Sequence, residues 1–313
     1  MSTPLDNPLG GSRETQRETQ RDILREILRN GKARLEVADI QAVDAELLLA
    51  HLLGVGRMDL HAREFSFTEE EESELRERFD EVITARIEST PVQYLTGEAP
   101  FRHINLAVGP GVLIPRPETE GLVELALIWL EREHSVDPSR RFSVVDLGAG
   151  SGAISISLAV EARERGIPLS VVAVEDSSEA KPWLERNIAT YLEKYDESID
   201  IRFVHLPVKD ALLDVKCDLV IANPPYIPLD IALPADVRNE PERALFGGPE
   251  GVEIPIHFIE HGARLLKSGG ALFMEHFEGQ GEWLARAMNP YFSEIIGHDD
   301  LNGRGRYISA RKK

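Results

Sequence analysis

Apolar positions divide the chain into two regimes. Over residues 14–87 they recur at helical spacing, and from residue 142 they gather into short runs alternating with amphipathic segments. The first regime predicts a helix over 14–31 on Ile23, Leu24, Ile27 and Leu28, stopped by Gly31. A second helix, over 42–53, carries Leu47, Leu48, Leu49, Leu52 and Leu53, too many for one narrow stripe. It is therefore the expected centre of a small bundle, ended by Gly54. A short third helix covers 58–61. The fourth opens at Thr68, an N-cap with Glu71 three residues on, and sets Leu75, Phe79, Val82, Ile83 and Ile87 on one side. Residues 1–13, polar and containing Gly and Pro, read as a disordered tail. Residues 14–90 then form a helical N-terminal domain without a catalytic constellation, and partner docking is its expected role. His51 and His61 stand alone and read as core or surface residues.

Residues 91–116 change character. Ile104, Leu106 and Val108 alternate, as in a strand of a β-hairpin linking two domains. Pro117 suits the first turn of a helix that runs to about residue 133 on Leu122, Val123, Leu125, Ala126 and Leu130. Strands are then predicted at 142–147, 169–174, 201–205, 219–222 and 271–275. Helices are predicted after Gly152 and at 181–195, 254–266 and 282–288, with a loop over 227–251 and a turn at Gly269-Gly270. Terminal strand candidates lie at 293–296 and 306–310. Strand–helix alternation of this kind makes residues 117–313 an α/β domain with a doubly wound, mostly parallel sheet.

Composition narrows the function. The 313 residues have room for two domains, and no apolar run reaches membrane-spanning length. The first 21 residues have no apolar core and do not form a secretory signal. A single cysteine, Cys217, rules out an internal disulfide and a cysteine-built zinc site, and no metal is expected. It fits a reducing, cytoplasmic setting, with Cys217 a packed small hydrophobe. The formal charge of −19 argues against unaided binding of duplex nucleic acid, which needs a basic face. It suits solubility or a basic protein partner.

The chemistry concentrates in two turns. Asp146 ends a strand, and Gly148-Ala149-Gly150-Ser151-Gly152 then opens a helix. Glycines let a backbone approach a ligand closely, and a helix N-terminus offers free N–H groups to a carboxylate. Their spacing differs from Gly-x-Gly-x-x-Gly of dinucleotide sites. Glu175, at the tip of the next strand, is placed to accept both hydroxyls of a ribose. A nucleoside with a zwitterionic tail and no pyrophosphate satisfies these groups: S-adenosyl-L-methionine. The second turn, Asn223-Pro224-Pro225-Tyr226, follows the apolar run 218–222. Two prolines stiffen it, and the residue before a proline is held extended. The Asn223 side-chain oxygen and the Pro224 carbonyl can each accept one N–H of a planar nitrogen, with Tyr226 as a flat wall. That is catalysis by positioning. These residues suit an adenine amine or a glutamine amide equally.

Pro91 to Gly97, the run Pro110-Gly-Val-Leu-Ile-Pro-Arg-Pro-Glu-Thr-Glu120, Asp146 to Gly152 and Asn223 to Pro228 are similar to the release-factor glutamine methyltransferases, the HemK (PrmC) family. So are Glu240-Pro-Glu-Arg-Ala-Leu-Phe-Gly-Gly-Pro-Glu-Gly251 and Asp300-Leu-Asn-Gly-Arg304. The resemblance spans about residues 20–310 and implies a Rossmann-like class I methyltransferase sheet. It implies methyl transfer to the glutamine side chain in the Gly-Gly-Gln loop of class 1 peptide chain release factors. By it, Gly148, Gly150 and Glu175 hold the cofactor, with Asp146, Ala149, Gly152 and Asn223 around them. Asn223 to Tyr226 hold the glutamine, and Pro115 to Glu120, Arg116 and Glu118 included, line the site from the domain junction. Family analogy makes the protein a monomer. Two other readings are a DNA adenine N6-methyltransferase, which the charge disfavours, and a non-catalytic S-adenosylmethionine-binding protein. The sequence departs from the family at Leu206-Pro207-Val208, where an acidic residue and an aromatic are usual, and in having glutamate at the ribose position.

Overall fold

A computed structural model describes residues 10–196 and 198–313. The chain forms two units, divided between Thr96 and Gly97. The first comprises helices α1 (Gly10–Val37), α2 (Val43–Leu52), α3 (Asp59–Ala62), α4 (Glu69–Ile87) and α5 (Val92–Thr96). Of the expected tail, residues 1–9 lie outside the described residues, and 10–13 belong to α1. Gly31 does not stop α1. A Cβ there would lie 2.6 Å from the Phe79 ring, so this glycine admits the close packing of α1 on α4. The helix ends where Asp39 turns to a φ of 59°. Leu24, Ile27, Leu48, Leu49, Phe79 and Ile83 are buried in one core. Thr68 and Glu71 form the reciprocal cap: the Glu71 N–H donates to Thr68 Oγ1 at 3.2 Å and the Thr68 N–H to Glu71 Oε2 at 2.8 Å.

The second unit opens with an antiparallel hairpin, β1 (Glu98–Phe101) and β2 (Ile104–Ala107). It is followed by α6 (Thr119–Val136), β3 (Phe142–Leu147), α7 (Ala153–Glu164), β4 (Leu169–Glu175), α8 (Lys181–Lys194), β5 (Asp200–His205) and β6 (Cys217–Ala222). Arg102, at the hairpin tip, pairs with Glu124 of α6 and Glu161 of α7, and its N–H donates to Glu120 at 2.9 Å. Glu120, expected at the functional site, thus anchors the hairpin.

The expected loop over 227–251 is more structured than its polar sequence suggests. It holds β7 (Ile227–Pro228), α9 (Glu242–Leu245) and β8 (Phe246–Gly248), with β7 and β8 paired in parallel. Then come α10 (Glu253–Leu265), β9 (Leu266–Glu275), α11 (Gly281–Met288), β10 (Phe292–Asp299) and β11 (Gly305–Lys312). Gly269 and Gly270 lie within β9 and do not separate it from α10. The register with β6 slips between Cys217 and Leu219, and a Cβ on Gly270 would lie 2.8 Å from the Asp218 carbonyl, so the glycines make a bulge.

Seven strands form one sheet in the order β10-β11-β9-β6-β3-β4-β5, with only the β11 and β10 pairings antiparallel. This is the doubly wound, mostly parallel sheet that the alternation predicted. β6 is buried along its whole length, as strands covered on both faces are. Val145, Leu147, Val172, Val220 and Leu272 share a core with Phe258 and Ile259 of α10 and Leu284 of α11. Cys217 belongs to the same core, and burial pushes its thiol up to about 12. No helix among the described residues is long and apolar enough to cross a membrane.

Candidate active site

The chain runs outward from β3 through β4 to β5, then returns to lay β6 on the other side of β3. Leu147, the last residue of β3, pairs with Val174 on one side and Ala222 on the other. The turns leaving β3 and β6 therefore emerge side by side, at the switch point where open α/β sheets bind ligands.

Gly148 and Gly150 adopt φ of 74° and 55°, open to glycine with little strain. With Ala149 and Glu175 they line a cavity of about 570 Å³. Glu175 Oε2 accepts the Gly150 N–H and Oε1 the Ser177 N–H, each at 2.8 Å. The carboxylate thus braces the glycine turn, and each oxygen retains a lone pair for a hydroxyl donor. Gly152 has a different task. It lies off the cavity wall, and a Cβ there would meet Leu184 of α8 at 2.9 Å. These residues fit S-adenosylmethionine: a carboxylate acceptor for the ribose, and a glycine-built helix N-terminus for the tail.

Asp146 stands beneath this cradle and not on its wall. It is fully buried, with Ser155 Oγ donating to Oδ2 at 2.5 Å and Oδ1 without a hydrogen-bond partner among the described residues. Burial, aided by the charge of Glu175, raises its carboxyl from 3.8 to about 7. The native state therefore holds this proton more tightly than the unfolded chain does. The resulting stability is full below about pH 4 and is lost as pH rises through about 7. Asp146→Asn is expected to flatten the decline in Tm between about pH 4 and 7 that Asp146 produces. Equal slopes in the two proteins would refute a buried, late-ionising acid.

At the departure over residues 206–208, Val208 alone lines the cavity, and Leu206 is exposed. Arg243, from α9, forms another part of the wall and pairs with Asp176, the neighbour of Glu175. This pair is about half exposed, and such pairs contribute roughly 0.2–1 kcal/mol. Arg243→Ala is thus expected to weaken S-adenosylmethionine binding by up to about fivefold, a loss that shrinks in ~1 M salt. Calorimetric titration at two salt concentrations checks both parts.

Asn223 stands where the first cavity meets a second, of about 300 Å³, and lines both. Pro225 faces the first; Pro224, Tyr226 and Glu118 face the second; Arg116 is shared. Asn223 Nδ2 donates to Thr119 Oγ1 at 3.1 Å. The Tyr226 hydroxyl donates to Glu275 Oε1 at 2.7 Å, and burial and that neighbouring carboxylate hold the phenol well above its usual range. Gln280 Nε2 donates to the Tyr226 carbonyl at 2.9 Å, and the Tyr226 N–H donates to Leu245 at 3.2 Å. The turn is clamped from four directions.

Arg116 is held by Glu240, whose other oxygen accepts the Ile114 N–H at 2.9 Å. Burial raises the Glu240 carboxyl, with Arg116 opposing the shift. This ties the segment before α6 to the segment before α9.

Thr119 lies within the run Pro115 to Glu120 expected to line the site, and it lines the first cavity. Gly247, Glu275 and Gln280 are further parts of the site; Gly247 lies within a motif run and had a visible signal, and Glu275 and Gln280 had none.

Family models match at two places, the PrmC N-terminal domain over residues 26–97 and the methyltransferase small domain over residues 133–230. A release factor glutamine methyltransferase from Bifidobacterium longum is 42% identical over 279 residues, covering 85% of this chain and 91% of that protein. One from Streptomyces coelicolor is 38% identical over 277 residues, covering 86% and 90%. Among solved structures, a T. thermophilus 16S rRNA N2 G1207 methyltransferase in complex with AdoMet and guanosine aligns over 69% of this chain and 50% of that one, at 23% identity and a TM-score of 0.47. The chain belongs to the release factor glutamine methyltransferase family.

Proposed function

We infer that this protein transfers a methyl group from S-adenosylmethionine to the side-chain amide nitrogen of the glutamine in the Gly-Gly-Gln motif of class 1 release factors. The observation that carries this reading is the place of Asn223, on the wall of both cavities. A side chain there touches the cofactor's cavity on one side and an entering amide on the other. Bound S-adenosylmethionine supplies an electrophilic methyl group on its sulfonium.

The protein's own part is to hold and aim the nucleophile. An amide nitrogen is a poor nucleophile because its lone pair is delocalised. Asn223 Oδ1 and the Pro224 carbonyl each accept one of its N–H groups, which fixes the nitrogen's orientation and leaves its face toward the first cavity. Tyr226, tied to Glu275, gives the planar amide a rigid wall. Arg116 and Glu118 line the approach and take part in substrate binding. The nitrogen–methyl bond would form as the sulfonium–methyl bond breaks to leave a neutral thioether, and the alkylated nitrogen would release one of its two protons to water. Catalysis by positioning of this kind therefore needs no side chain of neutral pKa as a base.

The helical unit, residues 14–90, is proposed to dock the release factor, with residues 117–313 as the catalytic domain. A charge of −19 favours a basic protein surface over nucleic acid as the partner. The single buried thiol supports a cytoplasmic location, and a monomer is proposed. Incubation with methyl-labelled S-adenosylmethionine and a class 1 release factor, its Gln→Ala variant and unmethylated DNA tests the assignment. Label on the intact factor alone is expected. Label on DNA alone would replace the glutamine by an adenine, and no label despite bound cofactor would make this a binding protein.

A further inference from the structure

Two acceptors can hold the N–H groups of an incoming amide, but they leave its oxygen unsatisfied. A carbonyl oxygen taken out of water needs a donor. Among the described residues four line both cavities, Leu113, Arg116, Asn223 and Ala244, and of these only Arg116 and Asn223 have polar side chains. Asn223 Nδ2 is given to Thr119, and the Tyr226 hydroxyl to Glu275. Arg116 gives one N–H to Glu240, and its other N–H groups have no partner among the described residues. Its side chain is 31% exposed. We propose that Arg116 donates to the oxygen of the glutamine side-chain amide, and that Glu240 is the positioning residue that aims it and makes it select an amide over a carboxylate.

Glu240 is buried, and both of its oxygens are used. Oε1 accepts from the Arg116 guanidinium, and Oε2 accepts the Ile114 N–H at 2.9 Å. One carboxylate thus grips the side chain and the backbone of the same short segment, which fixes where the guanidinium points. It also changes what the guanidinium attracts. A free arginine fork matches a carboxylate in charge and in geometry. Glutamate has the shape of glutamine, so an unpaired Arg116 would draw an acidic side chain into the cavity. Glu240 offsets that charge and leaves N–H groups suited to a neutral oxygen. Asn223 and the Pro224 carbonyl complete the selection, because an ionised carboxylate has no N–H to offer them.

The proposal rests on the glutamine reading. A class 1 release factor and its Gln→Ala and Gln→Glu variants are compared on the unaltered protein, Glu240→Gln and Arg116→Met. Label on the intact factor by the unaltered protein is the control. Its absence sinks the glutamine reading itself, whereas the outcomes below judge the proposal with that control in place. Glu240→Gln keeps the shape but removes the charge. The Gln→Glu factor, measured as an inhibitor against the Gln→Ala factor, is expected to gain at least fivefold in relative affinity for this variant. Loosened packing alone would shift both inhibitors together, so an unchanged ratio overturns the proposal. Arg116→Met is expected to lower kcat/KM for the intact factor tenfold or more. Inhibition by the Gln→Ala factor and the Kd of S-adenosylmethionine should then stay within threefold. An unchanged kcat/KM overturns the proposal. So does an equal loss of cofactor affinity, which would give the guanidinium to the cofactor. If Glu240→Gln does not fold, Arg116→Met decides alone.

Discussion

Asn223→Ala is expected to lower the rate of methyl transfer by about 10²–10³-fold, the usual cost of removing one preorganised polar group that is aimed at the reacting atom. The truncation removes the acceptor at the junction of the two cavities and breaks the bond to Thr119. It leaves the Pro224 carbonyl, Tyr226 and the clamp from Gln280 in place. On the proposed reading, the incoming amide would then be held by one N–H in place of two, and its nitrogen would be free to rotate away. Glu175 and the glycine turn are untouched, so affinity for S-adenosylmethionine changes only a few-fold. Single-turnover rates beside equilibrium cofactor titration measure both quantities. A loss of cofactor binding as large as the loss of rate would move Asn223 from the substrate's side of the mechanism to the cofactor's.

Gly247→Ala is expected to be nearly as damaging, although Gly247 carries no side chain to react. A Cβ there would lie 2.5 Å from the Gly251 carbonyl oxygen, 2.6 Å from that of Pro225 and 2.8 Å from Tyr226 Cα. All three are backbone atoms, and none can rotate aside. The added methyl forces β8 away from the Asn223–Tyr226 turn. Overpacking of this kind costs about 1–3 kcal/mol of stability. A shift of about 1 Å in the reacting geometry costs roughly 10²-fold in rate. Gly297→Ala is the control, because nothing lies within 4 Å of a Cβ there and it should leave both rate and stability nearly unchanged. Equal rates for the two variants would show that β8 does not support the turn.

The sheet was legible because its strands are short, apolar and separated by helical patterns, and β3 matched its expected bounds. What failed were glycines whose meaning depends on distant atoms. Gly31 has the local signature of a helix stop, yet it serves the ring of Phe79, a residue in another helix. Gly269-Gly270 has the signature of a turn, yet it relieves contact with the Asp218 carbonyl on the adjacent strand. The site divides in the same way. Its two turns are contiguous in sequence and could be read as chemistry. Asp146, expected around the cofactor, lies one residue before the end of β3 and is buried off the cavity wall, because which way a strand residue faces follows from the pleat and the overlying helix. The partners of the second turn stand 104 residues before Asn223 and 49 after Tyr226. The return of β6 beside β3, and of β9 beside β6, brings Tyr226 to Glu275.

The central claim is that the nitrogen methylated belongs to one glutamine. The direct measurement is site-resolved mass spectrometry of a class 1 release factor after reaction with the unaltered protein and with Asn223→Ala. The expected result is one added methyl group on the Gly-Gly-Gln glutamine with the unaltered protein and almost none with the variant. A methyl group on any other residue, or equal modification by both proteins, would contradict the account.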